Sequence, residues 1–273
     1  MPIQGYWGSV PRGNNYSITQ GQVASPTGAG VAITSSASAN TKGSYTQIVS
    51  ATSIQAAGLI VHCTKGSNNI SEHLIDIAIG GSGSEQIIVS NLLHGVTGFG
   101  AVQYFFPIPI PSGTRISARL QATAGNRISW IHVTLTNGHP SYSRVETWGA
   151  NTSTSGGVTL DAGGSANTKG SYAQLISSTG FATQRMFFSV GSQAVNHSAN
   201  DFLCDIAVDI GGNKQIILAN IGLHNNSNVS IEPAILGPFT CVLPAGSNIY
   251  ARTQSLSTTS ATRQFGLVGY GIG

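Results

Sequence analysis

The sequence predicts an all-β protein made of two tandem antiparallel β-sandwiches, jelly-roll-like in type, that arose from an internal duplication. Three observations support this fold class: a repeated octapeptide, short alternating strands and frequent glycine turns. The octapeptide Ser38–Tyr45 returns letter for letter as Ser165–Tyr172. A match of eight residues in a chain of 273 residues indicates duplication rather than chance.

The repeat can be followed beyond the octapeptide. Leu74–Ala78 matches Leu203–Ala207, and Pro111–Arg119 matches Pro244–Arg252. The spacing between matched segments grows slightly along the chain, so the second copy contains small insertions, which are expected in loops.

A repeat of this length corresponds to a domain rather than to one turn of a solenoid. We therefore predict a first domain at residues 5–138 and a second at residues 146–273. Trp7 and Trp148, each followed by glycine, open the two copies. The joint is expected at Asn137–Ser141, where Gly and Pro end the preceding strand.

Alternation of apolar and polar residues predicts short strands, and β-branched and aromatic residues are frequent in them. The clearest alternation is found at Tyr45–Val49, Ile75–Ile79 and Arg115–Gln121. Glycine-rich turn clusters separate the runs at 80–84, 111–113, 163–164 and 211–213. No helical period of useful length is present, so each unit is expected to be a sandwich of about eight strands.

The composition indicates a polar but uncharged surface. Charged residues make up 8% of the chain, against about 25% in an ordinary globular protein, while hydrophobic residues make up 40%. A free monomer usually relies on charge for solubility, so this composition favours a protein packed against copies of itself or a larger assembly. The net charge of +3 comes from scattered Lys and Arg with no basic face, so nucleic acid is not an expected partner.

Targeting signals, membrane spans and cofactor motifs are not expected. No stretch approaches the roughly 18 apolar residues of a spanning helix, and residues 1–7 lack signal-peptide features, so synthesis in the cytoplasm without a signal peptide is predicted. Cys204 and Cys241 align with Ile75 and Ile108, which indicates small core side chains. Since the chain has no C-x-x-C pair and no histidine ligand spacing, no metal or cofactor is predicted.

The repeated octapeptide is interpreted as a structural loop. Asn40 and Asn167 tolerate left-handed backbone, and Gly43 and Gly170 are expected to supply positive φ before the strand that follows. Lys42 and Lys169, which match between the copies, are expected to cap carbonyls in that loop. The alternative is a phosphate cradle, but the order Lys-Gly followed by a strand is the reverse of a P-loop.

Two pairs of matched polar residues are candidate ligand positions. Asp76 and Asp205 lie in the middle of equivalent strands, where a carboxylate either binds calcium or a sugar hydroxyl or bonds a neighbouring strand or loop. His94 and His224 follow the matched Gln-Ile-Ile strands at nearly equivalent places, and a shared loop contact is favoured over a metal. Both interpretations stay open for each pair.

Catalysis finds little support in the sequence. The chain lacks a nucleophile elbow and a His-Glu-x-x-His motif, and it has only nine Asp and Glu residues. A paired-carboxylate site would require Glu72, Asp76 or Glu85 to converge. We therefore predict a protein that is not an enzyme.

An apolar, proline-punctuated stretch at 104–111 predicts an edge strand with exposed aromatic residues. Proline cannot donate to a strand ladder, so Pro107 and Pro109 favour an edge position. An interface with other chains is predicted at Tyr104, Phe105 and Phe106, together with the two prolines. The alternative is a core strand with prolines at its ends.

The segments Ala39–Ile48, Leu74–Ile88 and Phe106–Arg119 resemble a group of structural proteins from tailed bacteriophages. The likeness covers most of the first copy and, in weaker form, the second, where Lys214 stands in place of Glu85. This resemblance implies a location in the virion and carries no catalytic motif.

Three functional hypotheses follow. The first is a virion structural protein, such as a capsid decoration, a head fibre or a tail component, that forms a homo-oligomer such as a trimer and binds other virion proteins. The second is a carbohydrate-binding adhesion module that recognises a host surface glycan through an exposed aromatic platform. The third is a double jelly-roll capsid protein.

Overall fold

The computed structural model describes residues 17–21, 24–25, 28–65, 72–94, 101–138, 141–191, 200–226, 230–259 and 263–273. Every regular element in these ranges is a β-strand, and all paired strands are antiparallel. The protein is an all-β protein, as the sequence predicts. The alternating runs predicted at 45–49, 75–79 and 115–121 fall in strands, apart from Tyr45 and Arg115, which immediately precede theirs.

The strands of the first half are β1 (Ser17–Gln20), β2 (Ala24–Ser25), β3 (Gly28–Ala29), β4 (Val31–Thr34), β5 (Thr46–Val49), β6 (Gly58–Lys65), β7 (His73–Ile79), β8 (Gln86–His94), β9 (Ala101–Phe106), β10 (Ile116–Ala122) and β11 (Ile128–Thr136). They form one sheet of order β1-β11-β6-β9, in which β4 also pairs β11, and a second of order β5-β10-β7-β8. Strands β2 and β3 pair only with each other.

The strands of the second half are β12 (Val145–Trp148), β13 (Ala150–Asn151), β14 (Gly156–Asp161), β15 (Ala173–Ile176), β16 (Thr183–Gly191), β17 (Asn200–Ile210), β18 (Asn213–Asn226), β19 (Ser230–Glu232), β20 (Ile235–Leu243), β21 (Asn248–Ser255) and β22 (Gln264–Ile272). One sheet has the order β13-β14-β22-β16-β20, with β12 also pairing β22. The other has the order β15-β21-β17-β18-β19.

Each half has the topology of an eight-stranded jelly roll. In the first half the chain passes between sheets so that β4, β11, β6 and β9 face β5, β10, β7 and β8. The second half repeats this order with β14, β22, β16 and β20 facing β15, β21, β17 and β18. Among the described residues, each named strand pairs only within its own half. The boundaries 5–138 and 146–273 stay predictions, and residues 5–16, 139 and 140 lie outside the described ranges.

Each half has its own apolar core, but the first core extends into the second half. Trp148, Phe188 and Phe265 lie in the second core. Phe187 and Tyr270 belong instead to the first core, although both are in second-half strands. Alternate residues of β16 and β22 therefore face opposite ways, and the outer face of that sheet packs on the first half.

Cys204 is buried, as the sequence predicts, and Cys63 is buried as well, whereas Cys241, also predicted to be a core side chain, is only half-buried against the second core. Cys63 and Cys204 are fully buried in the first and second cores, and burial raises the pKa of each thiol to about 12. Cys241 is half-buried on β20. All three are free thiols.

The repeated loop is fixed by left-handed asparagines and by close backbone approach. Asn40 and Asn167 have φ values of 53° and 60°, as expected. The Asn40 N–H donates to the Ala122 carbonyl, and the Gly43 N–H donates to the Leu120 carbonyl, both at 2.8 Å. These bonds tie the loop to β10, and equivalent bonds tie the second loop to β21.

The predicted reason for the loop glycines is wrong. Neither Gly43 nor Gly170 has a φ in the left-handed region. A Cβ on Gly43 would overlap the carbonyl oxygen of Thr34, and a Cβ on Gly170 would overlap that of Asp161. Glycine is required at both positions because the loop passes against the backbone of a preceding strand.

We expect Gly43→Ala and Gly170→Ala to destabilise the first and second half, respectively, by about 1–3 kcal/mol, because each added methyl meets fixed backbone. Urea unfolding followed by tryptophan fluorescence measures the change. Gly222→Ala is the matched control, since no atom lies within 4 Å of its added Cβ. An equal effect of all three substitutions would contradict the close-approach explanation.

Candidate functional site

A buried carboxylate joins the repeated loop to the sheet of the first half. Asp76 is 2% exposed, and its Oδ1 lies 2.8 Å from Lys42 Nζ while its Oδ2 lies 2.8 Å from Arg119 Nε. Lys42 also donates to the Leu74 carbonyl at 3.2 Å and to Asn91 Oδ1 at 2.8 Å. The lysine therefore reaches across to β7, and the expectation that it caps carbonyls of its own loop is wrong.

The second half repeats this arrangement with equivalent residues. Asp205 is also 2% exposed and binds Lys169 at 2.8 Å and Arg252 at 3.0 Å. Lys169 donates to the Leu203 carbonyl at 2.9 Å. We call the Lys42–Asp76–Arg119 and Lys169–Asp205–Arg252 groups the ion-pair centres.

A β-bulge supplies a further donor to each centre. Ile75 pairs Leu92 and Ile77 pairs Val89, so two residues of β8 lie opposite the single residue Asp76. One of these is Asn91, which has a φ of 52° and donates its backbone N–H to Asp76 Oδ1 at 2.8 Å. In the second half the Asn220 N–H binds Asp205 Oδ1 at 2.9 Å.

Burial and pairing act against each other in these centres. Burial lowers the pKa of Lys42, and the Asp76 carboxylate opposes that change. Burial alone would raise the pKa of Asp205, but hydrogen bonds from Lys169, the Asn220 N–H and Arg252 outweigh it, so the net pKa lies below its ordinary value. Donors of the protein itself occupy both oxygens of each carboxylate. This favours the structural interpretation of Asp76 and Asp205 over a ligand site.

A tyrosine of the repeated octapeptide covers the arginine of each centre. The Arg119 guanidinium carbon lies 4.7 Å from the ring centroid of Tyr45, and that of Arg252 lies 4.6 Å from Tyr172. Cation–π contact of this kind is worth about 0.5–1 kcal/mol at partly exposed sites. It holds the arginine in place over the buried carboxylate.

The two candidate histidines are not equivalent in the structure. His94 is buried and pairs His73 across the ladder, whereas His224 is exposed and binds Asp201 at 2.7 Å. The strand registers align His94 with Leu223, one residue before His224. Because side chains alternate between faces, a shift of one residue places the two imidazoles on opposite faces.

The predicted edge position is confirmed for Tyr104–Phe106, which end β9, but Pro107 and Pro109 follow the strand, as in the alternative interpretation, and Tyr104 and Phe106 are not exposed. Strand β9 lies at the end of its sheet. Tyr104 and Phe106 are buried, with ring centroids 6.0 Å and 6.2 Å from Tyr270. Phe187 stacks on Tyr270 at 4.8 Å and completes the cluster. The expectation of exposed aromatics is wrong because the second half of the same chain covers them.

The rest of the predicted edge lies at the border of this contact. Pro107 is buried, Phe105 is half-buried and Pro109 is exposed. A cavity of about 300 Å³ opens between the halves beside Phe105, where Gln103 and Arg185 supply its polar groups. A contact of this stretch with another chain stays a prediction.

Hydroxyl groups of the second half cover the edge of β8. The Leu93 N–H donates to the Tyr270 hydroxyl at 2.8 Å, and that hydroxyl donates to the Asn91 carbonyl at 3.1 Å. Ser189 Oγ donates to the Leu93 carbonyl at 2.9 Å, and Thr147 Oγ1 donates to the Ser90 carbonyl at 2.6 Å. This edge is thereby closed to further strand pairing.

We name three surfaces from these contacts. The first flank is the side of the first jelly roll at which the edge strands of its two sheets, β8 and β9, lie next to each other. The capping face is the outer sheet surface that covers it, formed by Thr147, Phe187, Ser189 and Tyr270. The second flank is the equivalent open side of the second jelly roll, at the edges of β18 and β20.

The second flank is uncovered among the described residues. Strand β19 pairs with only the last residues of β18, so the edge from Asn213 to Leu223 has no outer strand there. Ile210, Ile216 and Val242 are 58%, 39% and 77% exposed. They lie at or beside a groove of about 520 Å³ that Cys241 also lines.

The acidic residues of the described chain are used mainly in ion pairs. Asp76 and Glu85 bind different arginines, with Arg115 lying 3.0 Å from Glu85, so they do not form a shared acid–base pair. No cluster of three or more His, Cys, Asp and Glu side chains suited to a metal occurs in the described ranges. The described residues also contain no helix able to cross a membrane.

Comparisons with family models and with curated proteins give no match. Among solved structures, the chain is similar to PNGase F, a glycosylasparaginase from Flavobacterium meningosepticum, at 11% identity and a TM-score of 0.38, over 95% of this chain and 96% of that one. It is also similar to the CBM22-1–CBM22-2 tandem of Paenibacillus barcinonensis Xyn10C, at 9% identity and a TM-score of 0.27, over 96% and 92% of the chains. At these values neither structure indicates what this protein binds or catalyses.

We expect Asp205→Asn to destabilise the second half by about 3 kcal/mol, because it leaves two cations beside a buried neutral group. Wild-type Asp205 has a lowered pKa, so its stabilisation is present above pH about 4 and is lost as the pH falls through the lowered value. Urea titrations between acid and neutral pH should show that loss in wild type and not in the variant.

Asp201→Asn is the control for this substitution. The exposed Asp201–His224 pair of the wild type should contribute less than about 1 kcal/mol to the free energy of unfolding. Equal destabilisation by the two substitutions would contradict the special role of the ion-pair centre.

The His62 imidazole predicts a second pH effect, in the first half. Burial lowers its pKa from 6.5 to about 4, with a further contribution from the stacked His132. The unfolded chain therefore binds a proton that the folded chain does not, so stability falls as the pH drops from about 6.5 to about 4. His62→Gln should flatten this dependence in urea unfolding, while the exposed-site variant His224→Gln should keep it.

Proposed function

We propose that this protein is a non-enzymatic structural subunit of a bacteriophage particle, where it assembles with itself and with other virion proteins. The observation that carries the proposal is the second flank, an apolar groove with an open strand edge. Monomeric soluble proteins rarely expose such a surface, so it supports a contact with another protein. Resemblance of the repeated segments to phage structural proteins supports the proposed location in the virion.

The use of charge supports a structural role over catalysis. The carboxylates at the centre of each half are held by a lysine and an arginine, and Glu85 is held by Arg115. An acid–base catalyst needs a carboxyl group that is free to exchange a proton with substrate. These groups instead hold loops and strands together.

A double jelly-roll capsid subunit is the second candidate, favoured by one observation. Both halves have jelly-roll topology, and jelly rolls are frequent in viral capsids and in lectins. This support is an analogy of fold. The glycan-binding alternative is less favoured, because no aromatic side chain in the described ranges is exposed enough to form the platform that it requires.

The test is the composition of purified particles from the phage or prophage that encodes this chain. Mass spectrometry should find the protein at a fixed ratio to the major head or tail proteins, through repeated density-gradient purification. Val242→Asp, which places a charge on the second flank, should reduce that ratio. Leu256→Asp is the control, since Leu256 is 55% exposed and lies outside the groove.

A protein absent from the particles would refute the structural role. Binding to a host glycan by the purified chain, with no incorporation into particles, would favour the adhesion alternative instead.

A further inference from the structure

The two flanks are equivalent in the fold but differ in what covers them. In each half, the flank is formed by the last long strand of one sheet and the edge strand of the other: β8 with β9, and β18 with β20. The capping face covers the first flank. In the described residues nothing equivalent covers the second. Leu218 and Ile221 of the second flank are half-buried, whereas their counterparts Val89 and Leu92 in the first flank are buried.

The first half carries a surface in the position of the capping face. In the second half, Thr147 on β12 pairs with Tyr270 on β22, and Tyr270 also pairs with Phe187 on β16. The three residues therefore form one row across three adjacent strands. In the first half, the equivalent strands β1, β11 and β6 carry the corresponding row of Thr19, Thr134 and Ile60. The next row, Ser189 and Val268 in the second half, corresponds to His62 and His132 in the first.

A separate pair of residues in each half confirms that these rows are equivalent. Val158 pairs Leu267 and Val31 pairs Ile131, and these valines precede the repeated octapeptides at the same distance. Tyr270 lies three residues after Leu267, as Thr134 lies three residues after Ile131. We call the surface of Thr19, Ile60, His62, Thr134 and His132 the first face.

The first face offers hydrogen-bonding and apolar groups, as the capping face does. Thr134 Oγ1 lies 2.9 Å from Thr19 Oγ1 and 2.9 Å from His62 Nε2, and Thr19 is exposed. Ile60, His62 and His132 are half-buried. The face is therefore available at its surface, although its hydroxyl groups are held in a defined arrangement.

We propose that the first face of one copy covers the second flank of another copy, so that chains join head to tail. The proposal rests on the structural role inferred above and names the partner at that surface. Its basis is the contact that the chain already makes within itself, between the first flank and the capping face. Because the two surfaces differ, the contact is heterologous and produces either a ring or a filament.

The exposed edge of β18 matches what the contact requires. In the first flank, carbonyls of Ser90, Asn91 and Leu93 accept hydrogen bonds from hydroxyls of the capping face. The strand registers place Ala219, Asn220 and Gly222 at the equivalent positions of β18, and all three are exposed. These backbone groups would meet the hydroxyl and imidazole groups of the first face.

A complementation experiment tests this geometry. Gly222→Arg disables the second flank, because Gly222 lies on the exposed edge of β18 with no atom within 4 Å of an added Cβ. Ile60→Asp disables the first face. Analytical ultracentrifugation should show concentration-dependent oligomers for wild type and for the Leu256→Asp control, and monomers for each flank or face variant alone. A one-to-one mixture of the two variants should form a dimer, since one intact flank and one intact face remain.

Thr19→Arg is a second face variant, in case Ile60→Asp unfolds the first half. Thr19 is exposed, so its replacement leaves the core unchanged. Circular dichroism of every variant must match wild type before sedimentation is compared.

Three outcomes would overturn the proposal. Wild type could remain monomeric at high micromolar concentration, the mixture could remain monomeric, or the Ile60→Asp chain alone could form dimers. The last result would indicate that two second flanks pair with each other.

The half-buried thiol of Cys241 gives an independent readout. Cys241 lines the groove of the second flank, while Cys63 and Cys204 are fully buried. Maleimide should label Cys241 readily in the monomeric Ile60→Asp chain and lose most of that reactivity in assembled wild type. Equal labelling in both would place the contact elsewhere.

Failure of this inference is distinguishable from failure of the proposed function. A chain that is present in purified particles but does not assemble head to tail would refute the inference alone. A chain that assembles head to tail but is absent from particles would refute the virion role alone.

Discussion

The buried carboxylate of each ion-pair centre is the constraint on which each half depends. Asp76 holds a lysine from the repeated loop, an arginine from β10 and a backbone N–H from the bulge of β8. Removal of one partner would leave an uncompensated charge in a place that water reaches poorly, which is costly. Lys and Tyr of the octapeptide contact this centre, and its Asn and Gly bond the backbone of the strand that carries the arginine.

The bulge connects this internal constraint to the contact between halves. It places Asn91 in a left-handed conformation, with its N–H directed to Asp76 and its carbonyl directed to Tyr270 of the capping face. One residue therefore takes part in both the ion-pair centre and the interface. Asn220 has the same conformation and the same bond to Asp205, but its carbonyl lies at the uncovered second flank.

Local features of the structure were predictable from the sequence, and long-range contacts were not. Duplication, strand periodicity and the left-handed asparagines all leave a signal within a few residues. The roles of Gly43 and Lys42 depend on Thr34 and Asp76, which lie in other strands. One signal for the ion-pair centre was present, since the arginines and bulge asparagines match between copies. Burial of Tyr104 and Phe106 had no such signal, because their cover comes from the other half.

Duplication itself accounts for the two surfaces on which the proposed self-assembly depends. Two equivalent units have two flanks and two outer faces, and one contact between the units uses one flank and one face. One flank and one face must remain, whatever the details of the contact. The residual flank is apolar, and the residual face carries half-buried Ile60 and His62. Because the few charged groups are committed largely to internal pairs, little charge is left to keep these surfaces apart from other copies, and this favours the self-assembly that we propose.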